Sequence, residues 1–170
     1  MLKILGMILI FCTSSGVGIL LSNSLSKRVK EIELLLALIE KIETHIRFHQ
    51  TPTPQMIVQI HKSGQFDELP FVSMCAEKMK IIKVFPIAWR TSVEETASDT
   101  HLKSEDIALV YTLSDTLGAS DVDGQLSALT LLRQLLQQNL SEALEKKKSH
   151  SKMYRTLGVL AGFAVVIMIV

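Results

Sequence analysis

Apolar residues in the first third of the chain recur at helical spacing. Between residues 25 and 49 apolar side chains follow intervals of four and three at Leu25, Val29, Ile32, Leu36 and Ile39, and Ile46 follows two turns later. This pattern predicts an amphipathic α-helix with one buried face. The run Thr51-Pro52-Thr53-Pro54 predicts its end, because proline disfavours helical backbone in the residue that precedes it. Thr53 is then the predicted cap of a short second helix, and Gly64 its end.

Four further helices are predicted along the rest of the chain. Pro70 and Pro86 lie at helix-start positions, and the helix that begins near Pro86 contains Trp89, the only tryptophan, as a predicted core residue. Ser104 precedes two acids and is a predicted capping residue for the fifth helix. Gly118 is the expected end of that helix.

The last predicted helix is also the longest. It begins at Asp121, and neither proline nor glycine interrupts the chain from Gln125 to Leu157. No segment outside the apolar ends alternates with a period of two residues, so no strand is predicted. The predicted fold class is therefore all-α, a helical bundle.

The two ends of the chain are much more apolar than the middle. Lys3 is the only charge from Leu2 to Leu21, and the run from Leu157 to Val170 carries none. Because about 20 apolar residues cross a bilayer, residues 1–22 are predicted to form an N-terminal transmembrane anchor. Residues 156–170 are predicted to form a shorter C-terminal anchor that either crosses fully or tilts at the interface. No A-x-A cleavage pattern follows the first segment, which favours an anchor over a signal peptide.

Basic residues lie on the inner side of both predicted anchors. They are Lys27, Arg28, Lys30, Lys146, Lys147, Lys148, Lys152 and Arg155. Positive charge marks the cytoplasmic side of a membrane segment and attracts anionic lipid. Residues 23–155 are therefore predicted to form a cytosolic helical bundle that is attached to the cell membrane at both ends.

Composition excludes several classes of protein. The 170 residues are 48% hydrophobic and carry a formal net charge of +1, which excludes a disordered chain. Two cysteines are too few for a disulfide-stapled module. The near-neutral charge and the 5% content of aromatic residues argue against nucleic acid as a partner.

Few residues have the spacing of a catalytic site. The chain has no phosphate-binding G-x-x-x-x-G-K-[ST] and no C-x-x-C. His45 and His49 lie four residues apart, so one helix face could hold a metal, but a third ligand is needed and Glu43 lies on another side. No catalytic residue, metal or cofactor is therefore predicted, and the protein is not expected to be an enzyme. A membrane-tethered hydrolase that uses this turn is the alternative.

Acidic residues concentrate in one part of the chain. Eight acids and a single base, Lys103, lie between Glu94 and Asp123. An acidic end far from the membrane would steer a basic cytosolic partner. The candidate partner surface consists of Glu94, Glu95, Asp99, Glu105, Asp106 and Asp121.

The second predicted anchor contains a pair of glycines with helix-packing spacing. Gly158 and Gly162 form a G-x-x-x-G pattern, which lets transmembrane helices approach closely. Apolar segments rich in glycine and alanine also match this pattern by chance. The pair is interpreted as a helix-packing surface that is compatible with a homo-oligomer.

Several motifs resemble the stage III sporulation protein AB family of endospore-forming bacteria. The first is E-x-x-I-x-[YF]-x-x-T-P-x-P, which this chain matches with Glu43, Ile46, Phe48, Thr51, Pro52 and Pro54. The second is Leu117-Gly118-x-x-Asp121-x-x-x-Gln125, and Lys152-Met153-Tyr154 follows near the end. His45 stands where the family usually has an acid, and Phe48 where tyrosine is common.

The resemblance implies a fold and a cellular role. The fold is expected to be similar to the cytoplasmic domains of F-type platform proteins in type II secretion. The expected location is the mother-cell membrane around the forespore, in a secretion-like channel complex that joins the two cells. The expected role is that of a platform that links a cytosolic secretion-type ATPase to the other proteins of that complex. A membrane-bound regulatory adaptor is the alternative function.

Overall fold

The computed structural model describes the backbone of residues 2–49 and 51–169, and the side chains of residues 23–48 and 51–149. Over these residues all regular secondary structure is helical, and no strand is present. The six α-helices are α1 Leu2–Thr44, α2 Thr53–Lys62, α3 Pro70–Lys78, α4 Phe85–Thr96, α5 Ser104–Thr116 and α6 Val122–Ile169. A π-helical turn, His45–His49, follows α1, and a 3-10 turn, Ala97–Asp99, follows α4. The predicted all-α fold is confirmed for the described residues.

The chain divides into two compact units. Unit 2 is Lys30–Ser141, which contains α2 to α5 together with parts of α1 and α6. Unit 1 is formed by Met1–Val29 and Glu142–Val170. The predicted domain boundaries after residues 22 and 155 both fall within unit 1.

The membrane segments stay predictions. No helix among the residues with described side chains is both long and apolar enough to span a membrane. The two predicted anchors, residues 1–22 and 156–170, lie outside those residues, and so do Gly158 and Gly162.

The starts of α2 and α5 lie within one residue of the predicted positions, but neither predicted capping residue is the cap. Thr53 is the first residue of α2 rather than its cap, because the Pro52 carbonyl already accepts a hydrogen bond from the N–H of Met56 at 3.0 Å. Ser104 is likewise the first residue of α5, and its hydroxyl is not the cap. The two capping predictions were therefore wrong by one residue each, and both helices begin one residue earlier than predicted.

The core of unit 2 is centred on Trp89, as predicted. The indole is fully buried, and its Nε1–H donates to the carbonyl of Val110 at 2.8 Å, so its polar atom is satisfied. The Phe71 ring meets it edge-on at 5.6 Å, and the Phe85 ring lies at 5.7 Å. Cys75 is a free cysteine in the same buried layer, and burial raises the pKa of its thiol to about 12.

Candidate interaction surfaces

Helices α4 and α5 are joined by residues 97–103, and this loop is attached to both long helices. The backbone N–H of His101 donates to Glu31 Oε2 at 2.7 Å, which ties the loop to α1. Asn139 on α6 donates from Nδ2 to Asp106 Oδ1 at 2.8 Å, which ties the start of α5 to α6. Since unit 2 runs from Lys30 to Ser141, these contacts lie where the chain enters and leaves it. We call this the entry end.

The opposite end of unit 2 consists of two adjacent turns. Thr44 follows Glu31 by thirteen residues of helix, a rise of about 20 Å. The first turn includes residues 45–49 and 51–53, and the second is residues 117–125. A Cβ placed on Gly118 would lie 3.8 Å from Thr53 Oγ1, in ordinary van der Waals contact. We call this pair of turns the turn end.

Hydrogen bonds from side chains fix the second turn. Gly118 has a φ of +80°, a left-handed conformation that glycine adopts without strain. Its N–H donates to Gln125 Oε1 at 3.0 Å, and Gln125 Nε2 donates to the carbonyl of Ser120 at 2.8 Å. Asp121 Oδ1 accepts the N–H of Gly124 at 3.1 Å, which caps α6. Gly118, Asp121 and Gln125 of the second motif therefore hold a turn together, while Leu117 is buried beneath them.

The first motif also has mostly structural roles. Glu43 Oε2 accepts a hydrogen bond from Arg133 Nη1 at 3.1 Å, which pairs α1 with α6. Thr51 and Pro52 form the connection to α2. Phe48 differs from the others, because 73% of its surface is exposed.

The hydrolase alternative gains no support from the described residues. The Glu43 carboxylate is engaged by Arg133, and the side chain of His49 lies outside the described residues. In the part of the chain with described side chains, no three His, Cys, Asp or Glu residues come together in a group that could hold a metal ion.

Asp106 is not a surface residue, so its assignment to the acidic partner surface was wrong. Its side chain is fully buried. Asp106 Oδ2 accepts the backbone N–H of Lys103 at 2.9 Å, and Oδ1 accepts Asn139 Nδ2. The physical reason is its place in the first turn of α5, where a side-chain oxygen can satisfy the unpaired N–H that precedes the helix.

The expectation of a single acidic end was also wrong. Because the loop between α4 and α5 returns to the entry end, Glu94, Glu95, Asp99 and Glu105 lie there, whereas Asp121 and Asp123 begin α6 at the turn end. The charge concentration along the sequence is therefore divided between the two ends of unit 2.

Part of the acidic charge is compensated within the molecule. Lys78 Nζ lies 2.7 Å from Glu95 Oε1, and Arg90 Nη2 lies 2.7 Å from Asp115 Oδ2. The hydrogen bond from Arg90 holds the pKa of the Asp115 carboxyl below its usual range. Glu94 and Asp99 are exposed and form no ion pair with another described residue. These two carboxylates are the ones most available to a partner.

The sequence patterns did not single out Glu31, a buried acid that joins α1 to the α4–α5 loop. Glu31 is buried, with Oε2 bound to the His101 N–H and Oε1 at 2.9 Å from His101 Nδ1. A signal was present, because residue 31 is spaced four, seven and eleven residues from Leu35, Leu38 and Ile42 on the buried face of α1. An acid on such a face needs a partner from elsewhere in the fold.

The structure defines an all-helical domain whose polar residues mainly hold turns and loops in place. A family model described as "Stage III sporulation protein AB (spore_III_AB)" matches residues 3–170. The chain therefore belongs to the stage III sporulation protein AB family, as the motifs indicate.

Two relatives agree with this assignment. The stage III sporulation protein AB of Bacillus subtilis (strain 168) is 24% identical over 170 residues, which cover 99% of each chain. A solved structure titled "Stage III sporulation protein AB (SpoIIIAB)" matches with a TM-score of 0.63 and 20% identity, over 72% of this chain and 98% of that chain. This second likeness shows that the fold is shared. Both names describe a sporulation protein and neither names an enzyme.

Proposed function

We propose that the protein is a structural component of a sporulation channel complex between mother cell and forespore, and that it links a cytosolic secretion-type ATPase to the membrane proteins of that complex. One observation carries the proposal beyond family membership. The helices by which the chain enters and leaves unit 2 both continue past it, since α1 begins at Leu2 and α6 ends at Ile169. A domain attached through two continuous helices is suited to bearing load between partners.

The proposed location follows from the same helices. Residues 1–22 and 156–170 are the proposed anchors in the mother-cell membrane around the forespore, because their sequences are almost free of charge. Unit 2 is then in the cytoplasm, where a cytosolic ATPase can reach it.

The proposed ATPase contact is the exposed acidic surface at the entry end, with Glu94 and Asp99 at its centre. Neither carboxylate is engaged by another described residue, so both are accessible to a partner. Exposed charges of this kind act mainly on the rate and orientation of association. A basic surface on the ATPase is the expected counterpart.

The experiment compares membranes from sporulating cells that produce the full chain or its variants. Glu94→Lys/Asp99→Lys should reduce ATPase recovery several-fold when the chain is purified, and the loss should be larger at low ionic strength. Asp67→Lys is the matched control, because Asp67 is an exposed acid elsewhere in unit 2. Equal losses in both variants would refute the acidic contact. Recovery of neither an ATPase nor another channel protein with the unaltered chain would refute the function.

Replacement of both proposed anchors separates this role from that of a regulatory adaptor. An adaptor needs only attachment to a membrane, so unrelated anchors should preserve its activity. A channel component should lose assembly with its membrane partners when residues 1–22 and 156–170 are exchanged. Spore formation and co-purification of membrane proteins are the two measurements.

A further inference from the structure

Exposed apolar side chains are concentrated where α3 is joined to α4. Ile81 is 85% exposed, and Val84 and Ile87 are each 52% exposed. Isolated exposed apolar residues are common, but three within seven positions form a patch that is typical of a contact surface. We call residues 79–84 together with Ile87 the linker surface.

A groove adjoins the linker surface. It lies between α2 and the start of the linker, has a volume of about 370 Å³, and is lined by Pro54, Val58, Lys62, Met79 and Lys80 among others. Met79 and Lys80 line the groove and directly precede Ile81 in the chain, so the groove adjoins the linker surface. Most of the lining surface is apolar, and its polar lining residues are Gln55, Gln59, Lys62 and Lys80.

The charge of this surface is positive. Residues 78–87 contain three lysines and no acid. Lys83 Nζ donates to the carbonyl of Lys80 at 3.1 Å, and neither Lys83 nor Lys62 forms an ion pair with a described carboxylate. Lys80 contacts Glu77, but both side chains are exposed, and such pairs contribute little. A partner that brings carboxylates would find available ammonium groups.

The position of the surface limits what can cover it. Lys78 directly precedes the linker surface and lies 2.7 Å from Glu95, whereas Arg90 contacts Asp115 in the last turn of α5, so the surface runs from beside Glu95 towards the start of α4. The exposed acids Glu94 and Asp99 lie at the entry end. The charges that the surface offers are those of Lys62 and Lys83, so a segment that brings carboxylates is the fitting occupant, and the test separates this segment from a second copy of the chain.

The geometry points to the linker surface and its groove as a docking site for an acidic amphipathic segment of a different protein. Apolar side chains of that segment would cover Ile81, Val84 and Ile87, and its carboxylates would meet Lys62 and Lys83. Burial of the apolar patch supplies the binding energy, while the lysines fix the orientation. This contact is separate from the proposed ATPase contact, which uses the acids at the entry end, so a failure of one leaves the other intact.

The test places a photoreactive amino acid at position 81 of the full chain in sporulating cells. The expected product is a crosslink to another protein, within a segment that mass spectrometry shows to contain at least two acidic residues. A product with phospholipid, with a second copy of this chain or with a basic segment would overturn the proposal, and so would the absence of any product.

Charge reversal gives the second arm of the test. Lys62→Glu/Lys83→Glu should reduce the yield of the same crosslink several-fold, because the new carboxylates repel the acidic segment. The matched control is Lys41→Glu, which reverses an exposed lysine on α1. Trp89 fluorescence checks that each variant is folded. A folded double variant with unchanged yield would contradict the assignment.

Discussion

The two ends of unit 2 use polar side chains in different ways. At the entry end, the buried carboxylates of Glu31 and Asp106 attach the α4–α5 loop and the start of α5 to α1 and α6. At the turn end, the more accessible side chains of Asp121 and Gln125 hold a turn by short-range hydrogen bonds. The two contacts that tie the entry end to α1 and α6 join residues 70 and 33 positions apart, whereas the contacts of Asp121 and Gln125 join residues at most seven apart.

The difference indicates at which end the stability of the fold depends more on polar side chains. A buried carboxylate that joins distant elements leaves donors unsatisfied when it is removed, and water cannot replace it. A turn at the surface can recover part of its hydrogen bonding from solvent. We therefore expect substitutions at the entry end to cost more stability than those at the turn end.

The largest effect is expected for Asp106→Ala. The change leaves the backbone N–H of Lys103 and the amide of Asn139 without their acceptor in a buried site. We expect the free energy of unfolding to fall by about 3 kcal/mol. Urea titration of the full chain in detergent, followed by the fluorescence of Trp89, measures this loss because Trp89 reports only on unit 2.

The neighbouring Glu105→Ala is the control for this change. Glu105 is exposed, and Lys103 Nζ lies 3.7 Å from its carboxylate. A surface contact of this kind contributes little, so the expected loss is below about 0.5 kcal/mol. Equal losses for the two variants would show that the buried position of Asp106 has no special importance.

A smaller effect is expected for Gln125→Ala at the turn end. The change removes the bridge between the N–H of Gly118 and the carbonyl of Ser120, both of which lie at the surface. The expected loss is about 1 kcal/mol, measured by the same titration. Gln134→Ala, an exposed glutamine of α6, should leave stability nearly unchanged. A loss as large as that of Asp106→Ala would remove the distinction between the two ends.

Local chemistry made the helix boundaries predictable. Pro54, Pro70 and Pro86 lie in the first turns of α2, α3 and α4, because proline lacks the N–H that a helix start leaves unpaired. Gly64 and Gly118 end their helices with positive φ angles. These signals act within a few residues, so they can be read without knowledge of the tertiary fold.

The candidate surfaces were less predictable because they depend on packing between distant segments. The sequence groups Asp106 with Glu105 as two acids of one helix start, yet one is buried and the other exposed. It also gives no sign that residues 94 and 121 lie at opposite ends of unit 2. The role of the acidic surface in partner binding stays a prediction.

The smallest effect is expected where neither end is involved, at the exposed ion pair between Arg90 and Asp115. The Arg90 hydrogen bond lowers the pKa of Asp115 in the folded chain below its ordinary value, so the pair stabilises the fold above that ordinary value, and its contribution is lost as the pH falls through the lowered pKa. Asp115→Asn should therefore reduce stability slightly at pH 7, and the difference from the unaltered chain should shrink below about pH 4 or at high salt. Glu94→Gln is the control variant, because it removes an exposed acid that forms no ion pair with another described residue. A pH-independent difference for Asp115→Asn would mean that the side chain acts through packing rather than charge.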